Sequence, residues 1–116
     1  MRGVAALLLA VIGLCVGTTA ALAYVYAPTA QAAALAATKR FAAHEVKAWN
    51  QPQVSYNLGT CHVLHHRPWL AYACTFELHG VSNYCHGVVT VGVKRLAERN
   101  FRGQEVSSKY VDDHGC

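Results

Sequence analysis

Five Cys and seven His in a chain of 116 residues are the side chains with the most chemistry to offer. They gather at Cys61-His62-x-x-His65-His66, at Cys85-His86 and in the tail Asp112-Asp113-His114-Gly115-Cys116. Thiolate, imidazole and carboxylate are the ligands of a zinc site, so His62, His65 and His66 are the candidate metal set. Spacing argues against one centre, because on an extended strand His62 and His66 stand about 13 Å apart and only a turn brings them together. The plainer assignment is solvated imidazoles on a sheet face and in a turn. No Cys-x-x-Cys, Cys-x-x-Cys-His or His-Glu-x-x-His occurs, so no cofactor is expected. The adjacent pairs Cys61-His62 and Cys85-His86 do not make a nucleophile and its base, since neighbours on a strand point to opposite faces.

Acid and basic residues add little catalytic promise. Glu45, Glu77, Glu98, Glu105, Asp112 and Asp113 are scattered, with one adjacent pair and no implied apolar pocket around it, so paired-carboxylate hydrolysis finds no support. Glu77 falls opposite His86 in the hairpin register derived below, which suits a cross-strand ion pair. The one charge cluster runs from Lys94 to Arg102, with Lys94, Arg95, Arg99 and Arg102 against Glu98. It offers contact with an anionic surface, or else is a solvated connection between strands. Nucleic acid is not expected, because Phe101 is the one aromatic inside the cluster and stacking platforms need several. Trp69, Tyr72 and Tyr84 sit near strand ends, as core, rim or interface residues.

The compartment decides what the cysteines mean. Arg2 is followed by an apolar run from Val4 to Val16, then Gly17-Thr-Thr and the small-residue end Ala21-Leu22-Ala23. That order is a signal peptide over residues 1–23. The charge-free stretch extends to Ala27, so a retained single-pass anchor over residues 4–26 is the alternative, a bilayer needing about 20 residues. In that case Tyr24 and Tyr26 take the interfacial belt and the membrane is a partner. Both readings place the rest of the chain outside the cytoplasm: periplasmic or secreted if cleaved after Ala23, otherwise anchored with its N-terminus in the cytoplasm. Leu14 before Cys15 excludes a lipobox, and Cys15 is an apolar segment residue. Cys61, Cys74, Cys85 and Cys116 then read as two disulfides. Without Arg2 the domain keeps nine Lys or Arg against six Asp or Glu, a formal +3.

These residues need elements to position them. Pro28 and Thr29 open a helix whose Leu35, Ala42, Val46 and Trp49 recur at helical spacing, with Lys39, Arg40, His44 and Lys47 off the stripe; Asn50-Gln51-Pro52 ends it. The helix therefore covers residues 28–50. From Gln53 the period becomes two. Val54, Tyr56 and Leu58 alternate, Leu70 to Leu78 alternates without fault, and Cys85, Val89, Val91 and Val93 follow after the turn Gly80-Val81-Ser82-Asn83. That turn sets Leu78 opposite Cys85, Cys74 opposite Val89 and Tyr72 opposite Val91. The first strand changes parity between Leu58 and Cys61, which a bulge at Gly59-Thr60 repairs. Cys61 then falls beside Tyr72 and diagonal to Cys74, giving the pairs Cys61–Cys74 and Cys85–Cys116. A fourth strand, Gln104 to Val111, is weaker. The expected fold is α+β: an N-terminal apolar export or membrane helix, then one amphipathic helix packed on a four-stranded antiparallel meander over residues 53–116. The element order is similar to cystatin-like and nuclear-transport-factor-like layouts and carries no function.

A hydrophobic N-terminal helix leading to an amphipathic one, then an antiparallel sheet and a C-terminal disulfide, also resembles a type IV pilin subunit. Gly3 stands where the processing glycine would. Val4 replaces the Phe or Met that follows it, Leu8 replaces the Glu five residues into the mature chain, and Pro28 interrupts the helix. The expectation is a small, exported, disulfide-stabilised envelope domain that is not an enzyme and binds an envelope protein or surface. A membrane-anchored pilin-like subunit and a His/Cys metal-binding envelope protein are the alternatives.

Overall fold

Thr29 caps the helix as its composition predicts. Its backbone is extended, and its hydroxyl accepts from the amide of Ala32 at 3.1 Å, satisfying one of the donors a helix start leaves open. The helix, α1, runs Ala30–Trp49 and stops where Asn50 turns left-handed, φ 50°, and donates its amide to the Lys47 carbonyl. The computed structural model describes residues 24–51 and 53–114. Around α1 lie five strands: β1 Tyr24–Ala27, β2 Ser55–His65, β3 Leu70–His79, β4 Tyr84–Ala97 and β5 Asn100–His114. They form one antiparallel sheet in the order β1-β5-β4-β3-β2. The domain is thus α+β, one helix on one face of a five-stranded sheet.

The central hairpin has the register its alternation dictates: Leu78 opposite Cys85, Cys74 opposite Val89, Tyr72 opposite Val91. One face of β3 and β4 therefore carries Tyr72, Cys74, Phe76, Leu78, Cys85, Val89, Val91 and Val93 into the core under α1. The Phe76 ring stands edge-on to Phe41 of α1 at 5.3 Å and to Tyr110 of β5 at 5.8 Å, contacts worth about 0.5–1.5 kcal/mol each beyond their area. The helix lies close because its buried stripe is small: Ala33, Ala34, Ala37, Thr38 and Ala42. Gly103 of β5 makes the same allowance from below, since a Cβ there would stand 2.5 Å from the Ala33 carbonyl oxygen. Two side-chain bonds fix the helix at its flanks. Gln31 Nε2 donates to the Cys61 carbonyl at 2.9 Å, and Arg40 donates to the Tyr24 carbonyl at 3.0 Å.

Several expectations are corrected. The sheet has five strands, not four: β1 pairs with the start of β5, Tyr24 opposite Gln104 and Ala27 opposite Phe101. Alternation over four residues inside a charge-free run carries too little signal to separate a strand from an apolar helix. Because Tyr24 to Tyr26 are strand, a bilayer-crossing helix over residues 4–26 is excluded in its last residues. The apolar helix itself, Cys15 and the cleavage point lie in residues 1–23, outside the described residues. Among the described residues no helix is long and apolar enough to cross a membrane. Leu35 faces solvent, 39% exposed, because the alanines take the buried stripe. β5 is the longest strand rather than the weakest.

The bulge at Gly59-Thr60 is present, with the Thr60 amide donating to the Thr75 hydroxyl at 3.1 Å. A second irregularity near Leu64 moves the turn, so that Cys61 stands directly opposite Cys74 instead of Tyr72. These two form a disulfide with Cα atoms 4.0 Å apart. Cys85 is disulfide-bonded too; Cys116, its expected partner, is outside the described residues.

Candidate functional site

Among the described residues the helix covers one face of the sheet, and alternation decides which side chains point to the other, open face. On β1 these are Tyr24 and Tyr26; on β5, Arg102, Gln104 and Val106; on β4, Thr90, Gly92 and Lys94; on β3, Ala71 and Ala73, both of them buried. Pairing aligns two rows. Tyr26, Arg102 and Lys94 are successive cross-strand neighbours, with Trp69 just before β3 at the far end. Tyr24, Gln104, Gly92, Ala71 and His65 form the next row.

The rows enclose a shallow groove of about 310 Å³ lined by Trp69, Gly92, Lys94, Arg102, Gln104 and Val106. Its shape comes from Gly92, over which the indole of Trp69 lies; a Cβ at that position would meet the ring at 3.2 Å. His65 holds Trp69 from the other side, its Nδ1 donating to the Trp69 carbonyl at 2.9 Å and its ring edge-on to the indole at 4.9 Å. Three apolar side chains remain out in water here: Tyr26 is 58% exposed, Val106 54% and Trp69 41%.

The charges of this face are arranged against self-pairing. Lys94 and Arg102 stand directly opposite each other on β4 and β5, a like-charge pair that costs stability. The guanidinium of Arg102 turns onto the ring of Tyr24, 4.4 Å from its centroid, a cation–π contact. The basic cluster is therefore split. Lys94 and Arg102 share the open face, Arg95 lies over Phe101 on the other side at 5.9 Å, and Arg99 falls in the β4–β5 turn. Lys94 and Arg102 are strand residues, not part of a loose connection, because β4 and β5 run on to within a two-residue turn of each other. No family model, curated protein or solved structure matches the chain.

The predicted metal set is not assembled. His62 is an exposed position on the open face opposite Ala73, His65 is engaged with Trp69, and His66 sits in the turn. Among the described residues no three His, Cys, Asp or Glu side chains converge as a metal site would require. Cys61 and Cys74 are consumed by their bridge.

A second polar group lies at the other end of the face. Glu77 is opposite His86 as expected, but its carboxylate accepts from His79 Nε2 at 3.1 Å and from the Tyr84 hydroxyl at 2.9 Å. Those two bonds, His79 first, hold the Glu77 carboxyl below the usual carboxylate range. Beside it is a small recess of about 140 Å³ lined by Asn57, Gly59, Thr75 and His86 among others. A carboxylate held charged by its own neighbours is a poor proton acceptor, so this cluster ties β3 to β4.

Gly92, Gln104 and Val106 are the groove residues that sequence reasoning does not find. The pairing of β4 with β5, with its irregularity at Val106, assembles them.

Proposed function

We propose that this chain is a small exported domain of the cell envelope that works by binding, with no catalytic step, and that the open sheet face is its recognition surface. The observation that carries this reading is the groove at Trp69 and Gly92, where exposed aromatic and apolar side chains adjoin the cations Lys94 and Arg102. Interfaces favour that mixture of tryptophan, tyrosine and arginine over scattered polar groups. Catalysis would ask for a nucleophile or a base of raised pKa in a concave site, and the groove offers lysine, arginine and glutamine.

Export is supported by the order of residues 1–23, charged start, apolar run and Ala21-Leu22-Ala23, and by two cysteines bridged in a way that suits an oxidising compartment. Cleavage after Ala23 would make Tyr24, the first residue of β1, the mature N-terminus. A retained anchor would instead end before Tyr24 and use residues 4–23, still about 30 Å of helix. The pilin-like alternative loses its main support, since β1 and Pro28 separate α1 from anything that precedes it.

Intact mass of the protein recovered from its own host tests the reading. We expect either a chain beginning at Tyr24 or a full chain in the membrane fraction, each with the mass lost on forming two disulfides. A full-length, fully reduced protein in the cytosolic fraction would refute export.

A further inference from the structure

We propose that the open sheet face lies flat on an anionic membrane surface, with Tyr26, Tyr24 and Trp69 entering the headgroup layer and Lys94 and Arg102 meeting lipid phosphates. The proposal deepens the reading above and rests on its assignment of residues 1–23 to export or anchoring.

Three observations converge on this face. The first is continuity. The charge-free stretch that begins at Gly3 runs directly to Tyr24, and Tyr24 and Tyr26 are on this face and not under the helix. A chain held in the membrane by those residues has this sheet edge nearest the bilayer. The second is composition. From the β1 tyrosines to Trp69 is three strand spacings, about 14 Å, and the row between is Tyr26, Arg102, Lys94, Trp69. Tyrosine and tryptophan at the edges with arginine and lysine between them is the set that favours a headgroup layer, where rings sit at the boundary and cations meet phosphate.

The third is charge. Lys94 and Arg102 face each other across β4 and β5 with repulsion between them, and an anion between them relieves it. No Asp or Glu shares the two rows. Glu77 lies at the opposite end of β3, engaged with His79 and Tyr84. The groove is shallow, as suits an extended surface more than a small enclosed ligand.

Trp69 supplies its own probe, because the chain has two tryptophans and the other, Trp49, is on α1 and packs beneath it. The experiment uses the chain carrying Trp49→Phe, recovered from exporting cells with whichever N-terminus intact mass assigns. It is added to vesicles of phosphatidylcholine alone or of equimolar phosphatidylcholine and phosphatidylglycerol, with brominated acyl chains as quencher. Trp69 emission is expected to move to the blue and be quenched on the phosphatidylglycerol vesicles far more than on phosphatidylcholine. Raised salt should reverse the effect, since screening shortens to about 3 Å near 1 M.

Each cation near an anionic surface is worth a factor of about five in affinity, so Lys94→Gln with Arg102→Gln should weaken the response about 25-fold. Both side chains leave the core untouched, and an unchanged melting temperature shows that the variant is folded. Equal quenching on the two vesicle compositions, or none on either, overturns the proposal. A Trp69 response to soluble dextran sulfate without one to vesicles also overturns it, and assigns the face to polyanionic polysaccharide. Failure of the export reading shows separately, as unprocessed, reduced protein in the cytosol by mass, whatever Trp69 does on vesicles.

Discussion

Two glutamates show how one residue type is turned to opposite ends by its surroundings. Glu105 of β5 lies on the helix side of the sheet opposite Val91, and partial burial first, then the carboxylate of Glu45, raise its pKa. A carboxyl group whose folded pKa is raised stabilises the fold only below the unfolded value, about 4.3, and that contribution disappears as pH rises through the raised folded value. At neutral pH Glu105 is thus a net cost. Glu105→Gln should raise the melting temperature at pH 7 by an amount equivalent to about 0.5 kcal/mol or less, the group being largely exposed and screened. The difference should vanish below pH 4, as thermal melts at both values would show.

Glu77 has the reverse sign. Its pKa is lowered by the bonds from His79 and Tyr84, so its contribution is present above the unfolded value and is lost as pH falls through the depressed folded value. Glu77→Gln should lower the melting temperature at pH 7, and the loss should shrink in acid. A variant that melts alike at both pH values would mean that the two bonds do not favour the charged form. Tyr110 completes the cluster over β5: burial, and then its hydrogen bond to Glu45, push its hydroxyl pKa above the usual tyrosine range, so it remains a donor to Glu45 at any ordinary pH.

At the scale of elements, the distance between helix and sheet is set by residues that have almost no side chain. Ala33 and Ala34 are fully buried, and Gly103 lies directly beneath the Ala33 carbonyl. Gly103→Ala must push backbone against backbone, with no flexible side chain to yield. We expect a loss of about 1–3 kcal/mol, the range for overpacking, seen in urea unfolding as a lower midpoint at an unchanged slope. Gly103→Ala with no change in midpoint would mean that the helix sits further off than its small stripe implies.

The same scale shows why parts of this fold were legible in sequence and parts were not. β3 and β4 alternate without interruption, so their register follows from the turn alone. α1 announces itself through Pro28, Thr29 and Asn50. β2 and β5 are bulged strands, and each irregularity reverses which parity faces the core, so Leu64 breaks the alternation of β2, and Val106 and Val111 break that of β5. β1 is four residues long, and the apolar segment before it masks it. The candidate site was legible as parts, Trp69 and the Lys94–Arg102 cluster. Its assembly depended on β1 and on the bulge at Val106, which is why the tyrosines and Gln104 could not be placed.

At the scale of the molecule, the described residues form two layers with one exposed face, and such a domain has little core to spare: four of the five fully or largely buried helix positions are alanine, and burying alanine removes little apolar surface from water. Domains of this size gain a smaller fraction of buried surface than larger ones, and a bridge can match what a weak core lacks. Cys61–Cys74 closes a loop of sequence separation 13 at the edge of the sheet, joining β2 to β3 beyond the bulge where the ladder is interrupted. In the chain-entropy account a loop of this length contributes about 3 kcal/mol by restricting the unfolded chain, a large part of the stability that small domains have.

Cys61→Ala with Cys74→Ala should therefore lower the unfolding free energy by about 2–4 kcal/mol, measured by urea denaturation under oxidising conditions. The double replacement also removes sulfur from a fully buried position under Ala34, so the reduced wild-type protein serves as the control that keeps the packing and loses only the bond. If the wild type unfolds at the same denaturant concentration with and without reductant, the bridge does not stabilise the fold. The open face would then be held flat by β3 and β4 alone, and the edge strand β2 would be expected to exchange its amide hydrogens far sooner than β4.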